Sequence, residues 1–291
     1  MKTFKLIKSI LPLMLLVIIF NGCKDDDNNV PVIDVVYQLE VEGNQVTFKN
    51  ETQGANTYRW DFGDGSGSEE ANPVHTYPGK GKYVATLYAT TASGQTEEGS
   101  TVIRIAKTTP VKLNDNTLAD WDNVTANVFT TTDAGNAIKK VKLDYDGNGV
   151  YIYVELLGKR SDGQIFDFYL DSDNSSTTGL LTGSYPEGGY DILMEGQLLL
   201  DWFDIFYHTG AQTAFSFTQQ SIPEAYILGT VVEEGGLLKF ECRLERGKLK
   251  NLTGNGLRIA IVATKSDWSA TLGSAPAVGS AAYFLDMEDE D

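Results

Sequence analysis

The stretch Tyr58-Arg59-Trp60-Asp61-Phe62-Gly63-Asp64-Gly65-Ser66-Gly67 decides the fold of the first folded module. Its opening five residues alternate aromatic and polar, the two-residue period of a strand half-buried in a sheet. The glycines that follow force a turn, since glycine alone accepts positive φ at little cost. Upstream, Val46-Thr47-Phe48 follows a turn at Glu42-Gly43-Asn44. Downstream, Lys82-Tyr83-Val84-Ala85-Thr86-Leu87-Tyr88-Ala89 alternates again and puts Tyr83, Ala85, Leu87 and Ala89 on one face. Gly94 turns the chain, and Thr96–Ile105 supplies a final strand. Short strands at this spacing specify a small β-sandwich over residues 32–107.

The ordered series Trp60-Asp61-Phe62-Gly63-Asp64-Gly65, Asn72-Pro73, His75-Thr76-Tyr77 and Gly81-Lys82-Tyr83 resembles the PKD domain. That resemblance implies a seven-strand, immunoglobulin-like sandwich that serves as a spacer or interaction module. It makes Trp60 a core residue, has Asp61 and Asp64 bond loop amides, and packs His75 beside Tyr77.

The chain has 291 residues, with 23 Lys+Arg against 40 Asp+Glu and a net charge of −17. A nucleic-acid binder needs a basic face to displace counterions, so that class is excluded. Apolar content of 42% and charged content of 22% are those of a folded chain. With two histidines, His-centred catalysis is nearly excluded.

Residues 1–22 read as a secretory signal: Lys2, Lys5 and Lys8 precede the apolar run Leu11 to Phe20, interrupted by Pro12. The run is shorter than the ~20 residues that span a bilayer. It ends at Phe20-Asn21-Gly22-Cys23, which resembles the lipobox of bacterial lipoproteins and implies lipidation of Cys23. The acidic stretch Lys24-Asp25-Asp26-Asp27, within a tether over 23–31, is similar to the surface-export signal of Bacteroidetes lipoproteins. Loss of three lysines with the signal leaves the remainder still more acidic, the wrong sign for adsorption to anionic lipid. Attachment to the outer membrane is therefore expected through the lipid, with the protein facing the exterior. With Cys23 lipidated, Cys242 has no partner for a disulfide, and alternation with Phe240 and Leu244 makes it a small core residue.

Thr108-Thr109-Pro110 is a junction. Residues 108–291 then carry strands without a long amphipathic helix. Val141–Leu143 and Val150–Glu155 flank an acidic turn, Phe166–Leu170 is a strand, and further strands fall at Phe215–Gln219, Gly229–Glu233, Leu237–Leu244 and Leu257–Thr264. The fold class is all-β: an N-terminal Ig-like sandwich followed by a larger antiparallel sandwich. Several pieces in order resemble the family 9 carbohydrate-binding-module-like (DOMON-type) sandwich. They are Asn114 to Trp121, Leu170-Asp171-Ser172-Asp173-Asn174, Gly188-Gly189-Tyr190-Asp191, and Phe240 to Arg246 with Leu249. The usual opening Ile-Asp-Gly is Leu-Asn-Asp here.

Asp171 and Asp173, two residues apart before a polar loop, offer the hard oxygens calcium requires, with Asp191 as third acid and carbonyls of the Asn174–Gly179 loop beside them. A loop closed by its own side-chain hydrogen bonds is the alternative. Sugar recognition needs flat rings and polar groups. Trp202 and Tyr207, in the dense segment Leu200 to His208, are candidates, as are Trp268 after Lys265-Ser266-Asp267 and Tyr185 in the glycine-rich loop Gly183–Gly189. Trp121 is expected in the core. No nucleophile motif accompanies acidic pairs such as Asp167/Asp171 or Asp191/Glu195, so no catalytic residue is assigned. The expected function is non-catalytic: polysaccharide or oligosaccharide captured at the cell surface for partner hydrolases or an outer-membrane transporter. An adhesin binding other proteins is the alternative.

Overall fold

The computed structural model describes residues 33–200, 202–252 and 254–288. The signal, the tether and Cys23 lie outside the described residues, which include no helix long and apolar enough to cross a membrane.

The first module has seven strands: β1 (Tyr37–Glu42), β2 (Gln45–Asn50), β3 (Thr57–Asp61), β4 (Gly67–Ser68), β5 (Val74–Thr76), β6 (Gly81–Thr90) and β7 (Thr96–Ile105). They form two sheets, β1-β2-β5 and β4-β3-β6-β7. The alternation in β6 buries Ala85, Leu87 and Ala89 and exposes Val84. Phe48, Trp60, Phe62, Tyr77 and Leu87 fill the space between the sheets. Trp60 is 1% exposed, with the rings of Phe48 and Tyr37 at 4.7 and 5.0 Å. Asp61 accepts the amide of Gly63 and Asp64 that of Ser66, which closes the glycine turn. His75 stacks on Phe62 at 4.1 Å, meets the edge of Tyr77, and joins Asp64 through Nε2 at 2.7 Å. These side chains complete the fold of the loop.

At the junction, Lys107 pairs with Asp144 and donates to the carbonyl of Tyr145 at 3.0 Å, while Lys80 donates to the Tyr145 hydroxyl at 3.0 Å. A short 3-10 turn at Ala119–Asn123 opens the second module. Twelve strands follow among the described residues. They are β8 (Val128–Thr130), β9 (Ile138–Tyr145), β10 (Gly149–Leu157), β11 (Ile165–Asp171), β12 (Ile192–Gly196) and β13 (Asp204–His208). The rest are β14 (Phe217–Gln220), β15 (Tyr226–Glu234), β16 (Leu237–Glu245), β17 (Gly256–Thr264), β18 (Thr271–Ala275) and β19 (Tyr283–Asp286). A five-stranded sheet, β15-β16-β10-β9-β8, faces a seven-stranded one, β14-β13-β12-β11-β17-β18, with β19 also on β17.

The core between them is aliphatic and aromatic: Leu143, Ile152, Phe166, Phe168, Met194, Phe240 and Ile261 are among its fully buried members. Trp121 is buried below β10 and donates its indole N–H to Glu241 at 2.8 Å. Glu241 is 0% exposed and also accepts the amide of Thr230. Two donors keep this buried carboxylate from being an uncompensated charge. Cys242 lies in the core, where burial pushes its thiol pKa up. Residues 215–216 are not part of a strand, because Thr209 and Ser216 close a hairpin there and leave Phe215 at its tip, 66% exposed.

Candidate functional site

With Phe166, Phe168 and Leu170 turned into the core, their neighbours on β11 point to the outer face of the seven-stranded sheet. The pairing register fixes three rows across that face. The first runs Val262, Asp167, Glu195, Asp204; the second Ala260, Tyr169, Leu193, Phe206, Gln219; the third begins Arg258, Asp171. Asp191, one residue before β12, accepts the amide of His208 at its carbonyl beside that third row.

Asp171, Asp173 and Asp191 converge, each offering one carboxylate oxygen within 4.8 Å of the others. Two ligands on opposite sides of a calcium ion at about 2.4 Å would be about 4.8 Å apart, so the spacing fits one ion. Asp171 is 0% exposed; its two oxygens accept the amides of Ser175 at 3.0 Å and Gly189 at 3.1 Å. Asp173 accepts the hydroxyl of Thr178. Gly189 has no room for a side chain, since a Cβ there would lie 2.0 Å from the Thr178 carbonyl oxygen. Burial, then repulsion from Asp173, raises the Asp191 carboxyl to about 6; Lys250 opposes the rise. Burial likewise raises Asp171, against the two amides that favour its charge. Of the loop carbonyls, those of Ser176 and Thr178 accept from Gln212 at 3.1 and 2.8 Å. The three carboxylates are the hard oxygens that converge here.

At the other end of the same sheet, the chain assembles a second group. A Cβ on Gly163 would sit 2.8 Å from Gln197 Nε2, 3.4 Å from Leu200 and 3.5 Å from Ser266. Those distances bring the β12–β13 connection and the β17–β18 hairpin together. Trp202 donates its indole N–H to Gln197 Oε1 at 3.2 Å and packs on Gly196, while Gln197 Nε2 donates to the Gly163 carbonyl. Trp268, two residues beyond Ser266, closes the hairpin by donating its amide to the Lys265 carbonyl at 2.9 Å. It is 50% exposed, and its φ of +62° is unusual for a bulky residue.

Asp167 and Glu195 stand opposite each other in the first row, and their carboxyls share a hydrogen bond. Asp167 is 8% exposed, and its Oδ1 has no hydrogen-bond partner. Burial and then the Glu195 charge raise Asp167 to about 7, so it holds the shared proton near neutrality. Burial also raises Glu195, with Asp204 adding to the effect.

The structure therefore brings Trp202 and Trp268 to one end and places the other two candidate rings elsewhere. Tyr185 is not on an open loop. It is 2% exposed, packed with Leu180, Tyr190 and Ala260 on the outer face, and its hydroxyl is bonded to Ser274. Tyr207 turns toward the core and its hydroxyl accepts the amide of Lys250 at 3.0 Å. Tyr185 offers no ring face to a ligand, and Tyr207 is half-buried against the core with its hydroxyl engaged. The pairs Asp167/Asp171 and Asp191/Glu195 are likewise not partners, since each lies along one chain segment at about 13 Å; the real pair is Asp167 with Glu195.

A model of the PKD domain matches residues 28–106, so the first module is a PKD domain. Collagenase ColQ1 of Bacillus cereus is 32% identical over 96 residues, which is 30% of this chain and 10% of that protein. Collagenase ColA of Bacillus cereus is 26% identical over 149 residues, covering 50% of this chain and 15% of that protein. The chain thus spans a small part of these curated relatives. Among solved structures, the PKD1 domain of Vibrio anguillarum Epp is 26% identical, with 26% of this chain and 94% of that one covered at a TM-score of 0.25. A carbohydrate-binding module from the β-sandwich superfamily, described for its promiscuous specificity, is 14% identical, with 80% and 96% covered at a TM-score of 0.26.

Proposed function

We propose that this chain is a non-catalytic, surface-anchored lipoprotein that binds glycans through its second sandwich. The PKD domain is its spacer, and captured polysaccharide passes to partner hydrolases or a transporter. The observation that carries the reading is Trp268: half exposed, at a hairpin tip, in a left-handed backbone conformation, and on the same end of the sheet as Trp202. Backbone strain under a solvent-facing ring is the kind of feature that function maintains. Asp167 and Glu195 support a binding role over hydrolysis. Carboxyls that share a hydrogen bond are far closer than the roughly 5–9.5 Å that glycoside hydrolysis requires between its two acids.

Asp171, Asp173 and Asp191 would hold a structural calcium ion, neutralising three acids that otherwise repel one another and fixing the loop to Gln212 and its hairpin. Anchoring through Cys23 is tested by labelling with a fatty-acid analogue, which a Cys23→Ser variant fails to incorporate.

Affinity electrophoresis on a panel of polysaccharides tests the binding reading. Retardation on at least one gel is expected, with Trp268→Ala weakening it by about 2 kcal/mol, roughly 30-fold. Migration unaltered across the panel, with a protein captured instead, would replace this reading with adhesion.

A further inference from the structure

Beside the first row of outer-face residues lies a cleft of about 490 Å³, whose lining includes Phe203, Asp204, Gln219, Gln220, Ser221 and Tyr226. It opens where β14, the last strand of the seven-stranded sheet, passes the chain to β15 of the opposite sheet. Phe203 is almost fully buried and meets Tyr226 edge to face at 5.4 Å, so the half-buried Tyr226 supplies the ring surface. Such a volume is within the usual range for small-ligand sites, about 300–1,000 Å³. The lining has the two kinds of group a pyranoside needs: a ring for its C–H face, and amides, a hydroxyl and a carboxylate for its hydroxyls.

We propose that this cleft is a saccharide subsite and that the carboxylate of Asp204 in its lining, with Glu195 beside it on the neighbouring strand, restricts it to neutral and amine-bearing sugars. The inference rests on the glycan-binding reading above and assigns it a second contact, apart from Trp268. Glu195 stands opposite Asp204 across β12 and β13, and behind it Asp167 adds a buried oxygen with no partner. No lysine or arginine lines the cleft. Lys248, which donates to the Pro223 carbonyl at its margin, is paired with Glu224. Hydroxyl and ammonium donors therefore find acceptors, whereas a uronate or sulfate meets like charge in a partly desolvated setting, which discriminates strongly.

Calorimetric titration at low salt with three tetrasaccharides tests this: a neutral glucan, a glucosamine tetramer and tetragalacturonate. The neutral or the amine-bearing probe is expected to bind at least tenfold more tightly than tetragalacturonate. Asp204→Asn, at a half-exposed position the fold tolerates, is expected to narrow that gap at least threefold, and Tyr226→Ala to weaken the favoured probe at least fivefold. Thermal melts of both variants verify folding. Tetragalacturonate binding as tightly as the others would overturn the proposal. So would affinities that Asp204→Asn and Tyr226→Ala leave unchanged while Trp268→Ala abolishes them; in both cases glycan binding itself stands. Absence of binding to these probes together with an unretarded polysaccharide panel would remove the glycan reading and the subsite together.

Discussion

Asp171, Asp173 and Asp191 occupy one end of a sheet face whose other end carries Asp167, Glu195 and Asp204, and the two trios answer the same electrostatic problem differently. In the first, backbone amides from a folded loop point at the carboxylates, and a buried aspartate is held by Ser175 and Gly189. In the second, no backbone amide reaches Asp167; it keeps a proton and shares it with Glu195. Amide donors favour the ionised form and so prepare a site for a cation, whereas a shared proton removes one charge and leaves the next two carboxylates facing solvent and the cleft. The difference is one of local backbone. A loop that folds back over a strand end supplies N–H groups, and the middle of a sheet, whose amides are paired in the ladder, does not.

The largest way to break this contrast is Asp171→Ala. It orphans the buried amide of Gly189 and leaves that of Ser175 to Asp173 alone, and an expected loss of about 3 kcal/mol follows. For a domain of this size that is on the order of 10 °C in melting temperature. A melt within a degree or two of wild type would show that the amides find other partners and that the loop does not depend on the acid.

Calcium is the next in size. A ligand that binds the folded state alone, at one hundred times its dissociation constant, stabilises by about 2.7 kcal/mol. EDTA should lower the melting temperature, calcium should restore it, and Asp191→Asn should abolish the response. Asp167→Asn should leave it intact, since that carboxyl belongs to the other trio. An unresponsive wild-type melt would remove the ion.

The shared proton gives a pH signature of the second trio. Asp167 rises to about 7 on folding, facing Glu195, with Asp204, Tyr169 and Val262 about it. The folded state thus holds this proton more tightly than the unfolded chain, whose aspartates release theirs near 4. Stability from it is complete below about pH 4 and declines as pH rises toward 7, by at most about 1.4 kcal/mol per pH unit. Asp167→Asn is neutral at every pH and should flatten that decline, best measured in saturating calcium so that the first trio is held constant. A decline as steep in the variant as in wild type would place the proton elsewhere.

How much of this could be read beforehand follows from where each contact comes from in the chain. Asp171 and Asp173 are two residues apart, so their convergence is local and legible, and four strands of the first module announce themselves through alternation, the seven-strand sandwich following from the PKD resemblance. The Asp167–Glu195 pair is not local. It depends on the register between β11 and β12, and within either strand the nearest acid along the chain, Asp171 or Asp191, was the more visible partner. Tyr185 misleads for a related reason. Its neighbours Gly183, Ser184, Pro186 and Gly188 read as an open loop, but the packing of Tyr169, Tyr190 and Ser274 against it comes from other elements. Phe215 shows the same limit at a strand end, where hairpin geometry and not composition determines which ring is exposed.

The smallest expected effect is the one most closely tied to function. Trp268 has a left-handed backbone, makes its amide bond to Lys265 through the main chain, and exposes half of its surface. Glycine at this position would relieve the steric cost of the positive φ while retaining the turn, so Trp268→Gly should leave stability unchanged or raise it by about 0.5–1 kcal/mol. The same variant should abolish retardation on whichever polysaccharide the wild type recognises. Gain of stability with loss of binding would mean that the ring is kept for the ligand at the expense of the turn. A variant that lost stability instead would mean that the indole packs to hold the hairpin, and the half-exposed face would then be incidental.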